Sequence, residues 1–218
     1  TTTSVQYTFH GEISVQSAAP TLGPESGGTA VTLTLDREPG LASFVPLVCV
    51  FGDLPEVPAQ YLGSNNVRCN SPPSAPGSVS LSLKTRGVND SSDNSFSDGF
   101  IFVYHDPITV ASISPSEALA SGGTRIRIQG TNFLNVSSLS CRFGGRAIVQ
   151  AFFVTSHVVT CTVPAINMNL LEDSTEATKM SAVVSVAVSI NGVHWSDVHT
   201  KKVVHQSRLL LLAGASSI

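Results

Sequence analysis

Four cysteines, six histidines and a single tryptophan are the residues of this 218-residue chain whose types and spacing invite a chemical reading. Cys49 and Cys69 are 20 residues apart, and so are Cys141 and Cys161. Such thiols can be bridged, stay free in a core, or hold zinc, and the lack of any C-x-x-C spacing makes zinc the weakest of the three. His194, Asp197 and His199 could converge on a metal, yet a strand turns positions 197 and 199 to one face and 194 to the other. A polar hairpin end is the plainer reading. His10 and His105 each follow an apolar run and are expected to be exposed junction residues. No Ser or Cys sits in a nucleophile elbow with a His and an acid to serve it, so no enzyme, catalytic residue or cofactor is expected. Residues 89–98 are rich in Asp, Asn and Ser oxygens suited to calcium, but they lack the glycine and closing glutamate of an EF-hand loop and read as a solvated hairpin. Asn89 and Asn135 each open an Asn-x-Ser sequon. Tyr61, Phe96 and Trp195 could stack on sugar rings if exposed.

The elements that would position these residues recur. Cys49-Val50-Phe51-Gly52 matches Cys141-Arg142-Phe143-Gly144, and Val67-Arg68-Cys69-Asn70-Ser71-Pro72 matches Val159-Thr160-Cys161-Thr162-Val163-Pro164. Upstream, Pro20 with Ser26-Gly27-Gly28-Thr29 matches Pro115 with Ser121-Gly122-Gly123-Thr124. Downstream, Val79-Ser80-Leu81-Ser82-Leu83 matches Val184-Ser185-Val186-Ala187-Val188. Five ordered blocks occurring twice define an internal repeat. The match also reaches back, Tyr7-Thr8-Phe9-His10 aligning with Phe102-Val103-Tyr104-His105. Residues 1–10 are therefore expected to close a preceding repeat, with repeats at 11–105 and 106–206 and a tail at 207–218.

Within each block apolar and polar residues alternate, as in Val31-Thr32-Leu33-Thr34-Leu35, the period of a strand with one buried face. Gly27-Gly28, Pro72-Pro73 and Asn191-Gly192 punctuate the runs as turns. About seven short strands per copy predict an all-β fold of two antiparallel sandwiches. A weak helical candidate at 170–180 is interrupted by Ser174 and Thr175 and reads as loop. Charged residues make up 12% of the chain and hydrophobic ones 42%, with mean hydropathy +0.22, the reverse of the disordered signature. A net charge of −3 supplies no positive field for phosphates, which argues against nucleic acid as a partner. The longest apolar run, Leu209–Ala213, is far short of the roughly 18 residues a spanning helix needs, so no membrane span is expected.

The motifs together resemble the IPT/TIG domain, an immunoglobulin-like module of plexin-type receptors and of some transcription factors. The resemblance rests on Pro20 with the Ser-Gly-Gly-Thr block, the Cys-x-Phe-Gly and Cys-x-x-Pro blocks, their second copies, and the closing aromatic strand ending at Tyr104. The second copy departs from it at Lys201-Lys202-Val203-Val204-His205, which has no aromatic residue. The resemblance implies two tandem early-set immunoglobulin-like β-sandwiches and, in receptor-type members, a disulfide inside each: Cys49 with Cys69 and Cys141 with Cys161. A bridge closing a loop of this length restricts the unfolded chain by on the order of 3 kcal/mol and belongs to an oxidising compartment.

The expected function is that of a non-enzymatic extracellular or cell-surface module, part of a multi-repeat protein serving adhesion, spacing or filament assembly. Its expected partners are other proteins or further copies of itself. The alternative is a carbohydrate-binding accessory module taking a glycan. The connection His105-Asp106-Pro107 suits a spacer, because proline fixes its own φ and holds Asp106 extended. Non-reducing peptide mapping of the secreted protein is expected to recover Cys49–Cys69 and Cys141–Cys161 peptides. The same digest should show glycan mass on Asn89 and Asn135 when the protein is made through a eukaryotic secretory route, and four alkylatable thiols would overturn the pairing and the compartment together.

Overall fold

Alternating burial builds both halves of the computed structural model, which describes residues 14–38, 46–85, 99–119, 121–165, 181–196 and 208–212. The expected closing strand at 1–10, the segment 201–205 and the helical candidate at 170–180 lie outside these residues. The chain divides into two compact units, Thr1–Tyr104 and His105–Ile218. Among the described residues every regular element is a strand, as the alternation predicts.

Unit 1 holds β1 (Val15–Ala19), β2 (Leu22–Pro24), β3 (Ala30–Leu35), β4 (Leu47–Phe51), β5 (Val57–Pro58), β6 (Gln60–Gly63), β7 (Asn66–Asn70), β8 (Gly77–Thr85) and β9 (Phe100–His105). They form two sheets, ordered β1-β3-β7-β6 and β2-β9-β8-β4-β5. The chain passes from the first sheet to the second at Pro20, after a cis peptide bond. Val31, Leu33 and Leu35 of β3 point into the sandwich, at most 2% exposed, against Leu81 and Leu83 of β8 and the aromatic trio Phe51, Phe102 and Tyr104. The rings meet edge to face, Phe51 to Phe102 at 5.3 Å and Phe102 to Tyr104 at 4.9 Å, a geometry that sets a positive ring edge on a negative face. Cys49 on β4 and Cys69 on β7 are bridged across the two sheets, their Cα atoms 6.3 Å apart and both side chains buried.

Unit 2 repeats the plan with β10 (Thr109–Ser114), β11 (Glu117–Leu119), β12 (Arg125–Thr131), β13 (Ser140–Phe143), β14 (Ala147–Thr155), β15 (Val158–Thr162), β16 (Ser181–Ser189) and β17 (Arg208–Leu212). Cys141 on β13 is bridged to Cys161 on β15 with Cα atoms 6.5 Å apart. Ile126, Ile128, Phe133, Leu139, Phe143, Val184, Val186 and Val188 fill its core, none more than 1% exposed.

The units differ in two places for readable reasons. Where unit 1 has β5 and β6 separated at Ala59, unit 2 has the single nine-residue β14, whose first half pairs with β13 and second half with β15. Pro58 aligns with Gln150, and proline has no N–H to extend a ladder, so only the second repeat carries one strand across both sheets. Unit 2 consequently closes into a single ordering, β10-β12-β15-β14-β13-β16-β17-β11. The other difference corrects the expected tail: residues 208–212 form β17, parallel to β16 and antiparallel to β11. It takes the place that β9 holds between β8 and β2, although β9 runs antiparallel to β8. The physical reason is that a strand of the sheet left without a neighbour exposes unpaired backbone groups, and the apolar run Leu209–Leu212 supplies partners for them.

The Ser-Gly-Gly-Thr blocks clamp the segment after each second cysteine. Gly28 N donates to Ser71 O at 2.8 Å and Ser71 N returns to Thr29 O at 2.9 Å; in unit 2 Gly123 N donates to Val163 O and Val163 N to Thr124 O. Gly27 (φ +74°) and Gly122 (φ +80°) lie so close to that segment that a Cβ would stand 2.6 Å from the backbone of Pro72–Pro73 or of Ala165. Gly27→Ala and Gly122→Ala are each expected to destabilise their unit by on the order of 3 kcal/mol. Gly28→Ala meets nothing within 4 Å and should cost only about 1 kcal/mol for its backbone conformation. Chemical denaturation of the three variants tests this, and equal losses at positions 27 and 28 would show that the close approach contributes nothing.

Candidate interaction surface

Strand β14 carries apolar side chains on both of its faces. Its sequence, Ala147-Ile148-Val149-Gln150-Ala151-Phe152-Phe153-Val154, departs from simple alternation. Ala151 packs inward and Val149 and Phe153 are half-buried, so Ile148, Phe152 and Val154 are left on the outer face, 59%, 55% and 50% exposed. Covering such surface recovers about 25 cal/mol for each Å² removed from water; the three side chains share one side of the strand with the exposed Gln150 between Ile148 and Phe152, and exposed apolar residues rimmed by polar ones mark contact sites.

Arginines flank the stripe. Phe152 stands opposite Thr160 of β15, which stands opposite Arg127 of β12. Two residues away on β12, the Arg125 guanidinium lies 5.9 Å from the Phe152 ring centre. On the other side Ile148 is opposite Arg142 of β13, whose guanidinium sits 4.4 Å over the Trp195 ring. Cation–π contact orients each arginine while leaving its N–H donors for a partner.

Trp195 is delivered by the turn after β16. Asn191 Oδ1 accepts from Val193 N at 3.0 Å and His194 N at 2.8 Å, and Ser189 Oγ accepts from Gly192 N at 2.9 Å. Val188 N donates to Ser196 Oγ while Ser196 N donates back to Val188 O, which brings the chain beside β16 again. Asn191-Gly192 is thus a turn, with Gly192 at φ +73°.

The residues singled out from sequence are distributed rather than gathered. The four cysteines lie in the two cores. Asn135 is exposed in the loop between β12 and β13, while Asn89 and the whole of 89–98, Phe96 included, lie outside the described residues. So do His10, Asp197 and His199, and among the described residues no group of three His, Cys, Asp or Glu is placed to hold a metal. No helix of the described residues is long and apolar enough to cross a membrane. Tyr61 is exposed on β6 of unit 1, and Trp195 of unit 2 is half-buried with Arg142 over its ring.

His105 corrects another expectation, being 8% exposed rather than an open junction residue. Its Nδ1–H donates to Asp106 O at 2.7 Å, and the ring is buried where sequence position alone set it at the surface. Burial holds His194 below the ordinary histidine value, and the neighbouring His105 lowers it further. In unit 1 burial raises the Tyr104 hydroxyl, partly opposed by the nearby Ser71. The Ser14 backbone N–H, 3.0 Å from Asp36 Oδ1, and then the Arg37 guanidinium at 3.1 Å hold the Asp36 carboxyl low.

The stripe on β14 went unread in the sequence, although its signal was there: three large apolar residues at 148, 152 and 154 occupy the parity that β12 fills with Arg125, Arg127 and Gln129.

Comparison with known proteins bears on both units. The IPT/TIG domain matches residues 14–104 and again 108–201. Plexin-A2 of Mus musculus is 32% identical over 170 residues, 74% of this chain and 8% of the relative. Plexin-A2 of Homo sapiens is 32% identical over 167 residues with the same coverage. The chain thus spans less than a tenth of these relatives. A solved structure of the full extracellular region of plexin A4 superposes with TM-score 0.44 at 16% identity, over 92% of this chain and 18% of that one.

The low His194 value has a signed consequence. The unfolded state takes up a proton at about pH 6.5 while the folded state resists it, so stability is complete above that pH and falls as pH drops toward the folded value. Thermal melts between about pH 7 and pH 5 should show this loss, and His194→Gln should flatten it. An unchanged slope in the variant would show that His194 is not its source.

Proposed function

This chain belongs to the IPT/TIG domain family as two tandem domains, and on that premise we propose that it is an extracellular protein-interaction module with no catalytic role, working through the outer face of β14. The observation that carries the reading is the exposed row Ile148, Phe152 and Val154 between the oriented Arg125 and Arg142. Aromatic residues and arginine are the types enriched where protein contacts are strongest. A sugar site would instead present open aromatic rings beside paired polar groups, whereas here the tryptophan face is covered.

The extracellular placement is supported by the bridged cysteines and by the exposed sequon at Asn135. The wider role, adhesion, spacing or assembly within a multi-repeat surface protein, needs the stiffness of bridged sandwiches and a side-chain contact face, and no chemistry.

A photo-crosslinking residue placed at position 152 on the surface of producing cells should give covalent protein adducts. Replacing Ile148 and Val154 by Ser should reduce those adducts by at least about fivefold, as expected when core contacts of an interface are removed. The same probe at the exposed Ser17 serves as control, and equal yields from 17 and 152 would defeat the assignment of the face.

A further inference from the structure

Resting on the reading of β14 as a contact face, we propose that its partner is a second copy of this chain, which presents the β5–β6 edge of unit 1. Charge is the first observation. Residues Thr1–Tyr104 contain nine Asp or Glu against four Lys or Arg, whereas His105–Ile218 contain six against eight. One repeat is acidic and the other basic on the same scaffold.

Part of the difference falls at equivalent places. Around β14 stand Arg125 and Arg127, both exposed, with Arg142 and Arg146 at the strand and turn that lead into it. The corresponding turn of unit 1, from β4 to β5, carries Asp53 and Glu56, both exposed. Asp53 aligns with Gly145 and Glu56 with Ile148. The strand that follows shows Tyr61 and Leu62, 37% and 41% exposed. An apolar row rimmed by guanidinium groups thus has, on a second copy, an apolar pair rimmed by carboxylates.

The edge also suits side-chain docking. β5 and β6 are the terminal strands of the two sheets of unit 1, and β5 is two residues long and ends at Pro58. Short, proline-bearing edges resist strand addition, so a partner is met through side chains. Like faces are disfavoured as partners, since two β14 faces would set arginine against arginine. The sheet face of β7 is a poorer partner than the edge, because Arg68 stands exposed there opposite Gln60.

The contact joins different patches, so each chain has one face of each kind to offer to others. The test is sedimentation of the intact chain with two charge-reversed variants, Arg125→Glu with Arg127→Glu and Asp53→Lys with Glu56→Lys. All four positions are exposed, and thermal melts confirm folding of each variant. The native chain should self-associate, and association should weaken at least about tenfold from 0.05 to 0.5 M salt. Each variant alone should lose association to a similar degree. An equimolar mixture should regain it, because the intact edge of one meets the intact face of the other.

A native chain that stays monomeric up to about 1 mM, or association untouched by both reversals, overturns the second-copy assignment. Adducts from position 152 to other proteins, with a monomeric native chain, remove the partner and keep the contact face. Self-association that survives in the absence of any such adduct removes the face itself.

Discussion

Each sandwich depends on one buried cross-link between its sheets. Cys49 to Cys69 and Cys141 to Cys161 tie the strand after the first turn region to the strand that returns on the opposite sheet, with all four side chains at most 1% exposed. The segment between them is a closed ring, and that ring contains the edge elements β5, β6 and β14. A ring closed at its base restricts the paths its outer part can take, so the residues on β14 inherit their position from a pair of cysteines on the far side of the strand.

What fills the ring then separates the two repeats. Prolines at 55 and 58 interrupt the ladder of unit 1 and leave a blunt acidic edge. The proline-free Ala147–Thr155 runs from one sheet to the other and spreads its outer side chains along nine residues. The same cross-link thus supports a corner in one domain and a broad face in the other. Because the glycine clamps and bridges are shared, such variation leaves the core unchanged, as expected when function is grafted on a scaffold.

The electrostatics follow from burial more than from formal charge. Arg142 and Arg125 each lie against an aromatic ring, Trp195 and Phe152 respectively. His105, by contrast, is buried, and His194 is half-buried, with burial first and the neighbouring His105 second holding the His194 value low. Both arrangements lie in the basic repeat.

Sequence alone determined the repeated all-β architecture. Period-two burial, paired cysteines and Gly-Gly turns are local or near-local signals, and each repeats the same physical demand twice. The alternation in Val31–Leu35 states which face is buried without reference to any partner strand, and the positive φ of Gly27 and Gly122 is written in the residue type. Only the tertiary structure decided that His105 is enclosed, that Trp195 is covered by Arg142, and that Ile148, Phe152 and Val154 face outward. It also decided that residues 208–212 complete a sheet parallel to β16. Those outcomes depend on which strand lies beside which, a long-range pairing that a run of apolar residues leaves open until the sheet order is set.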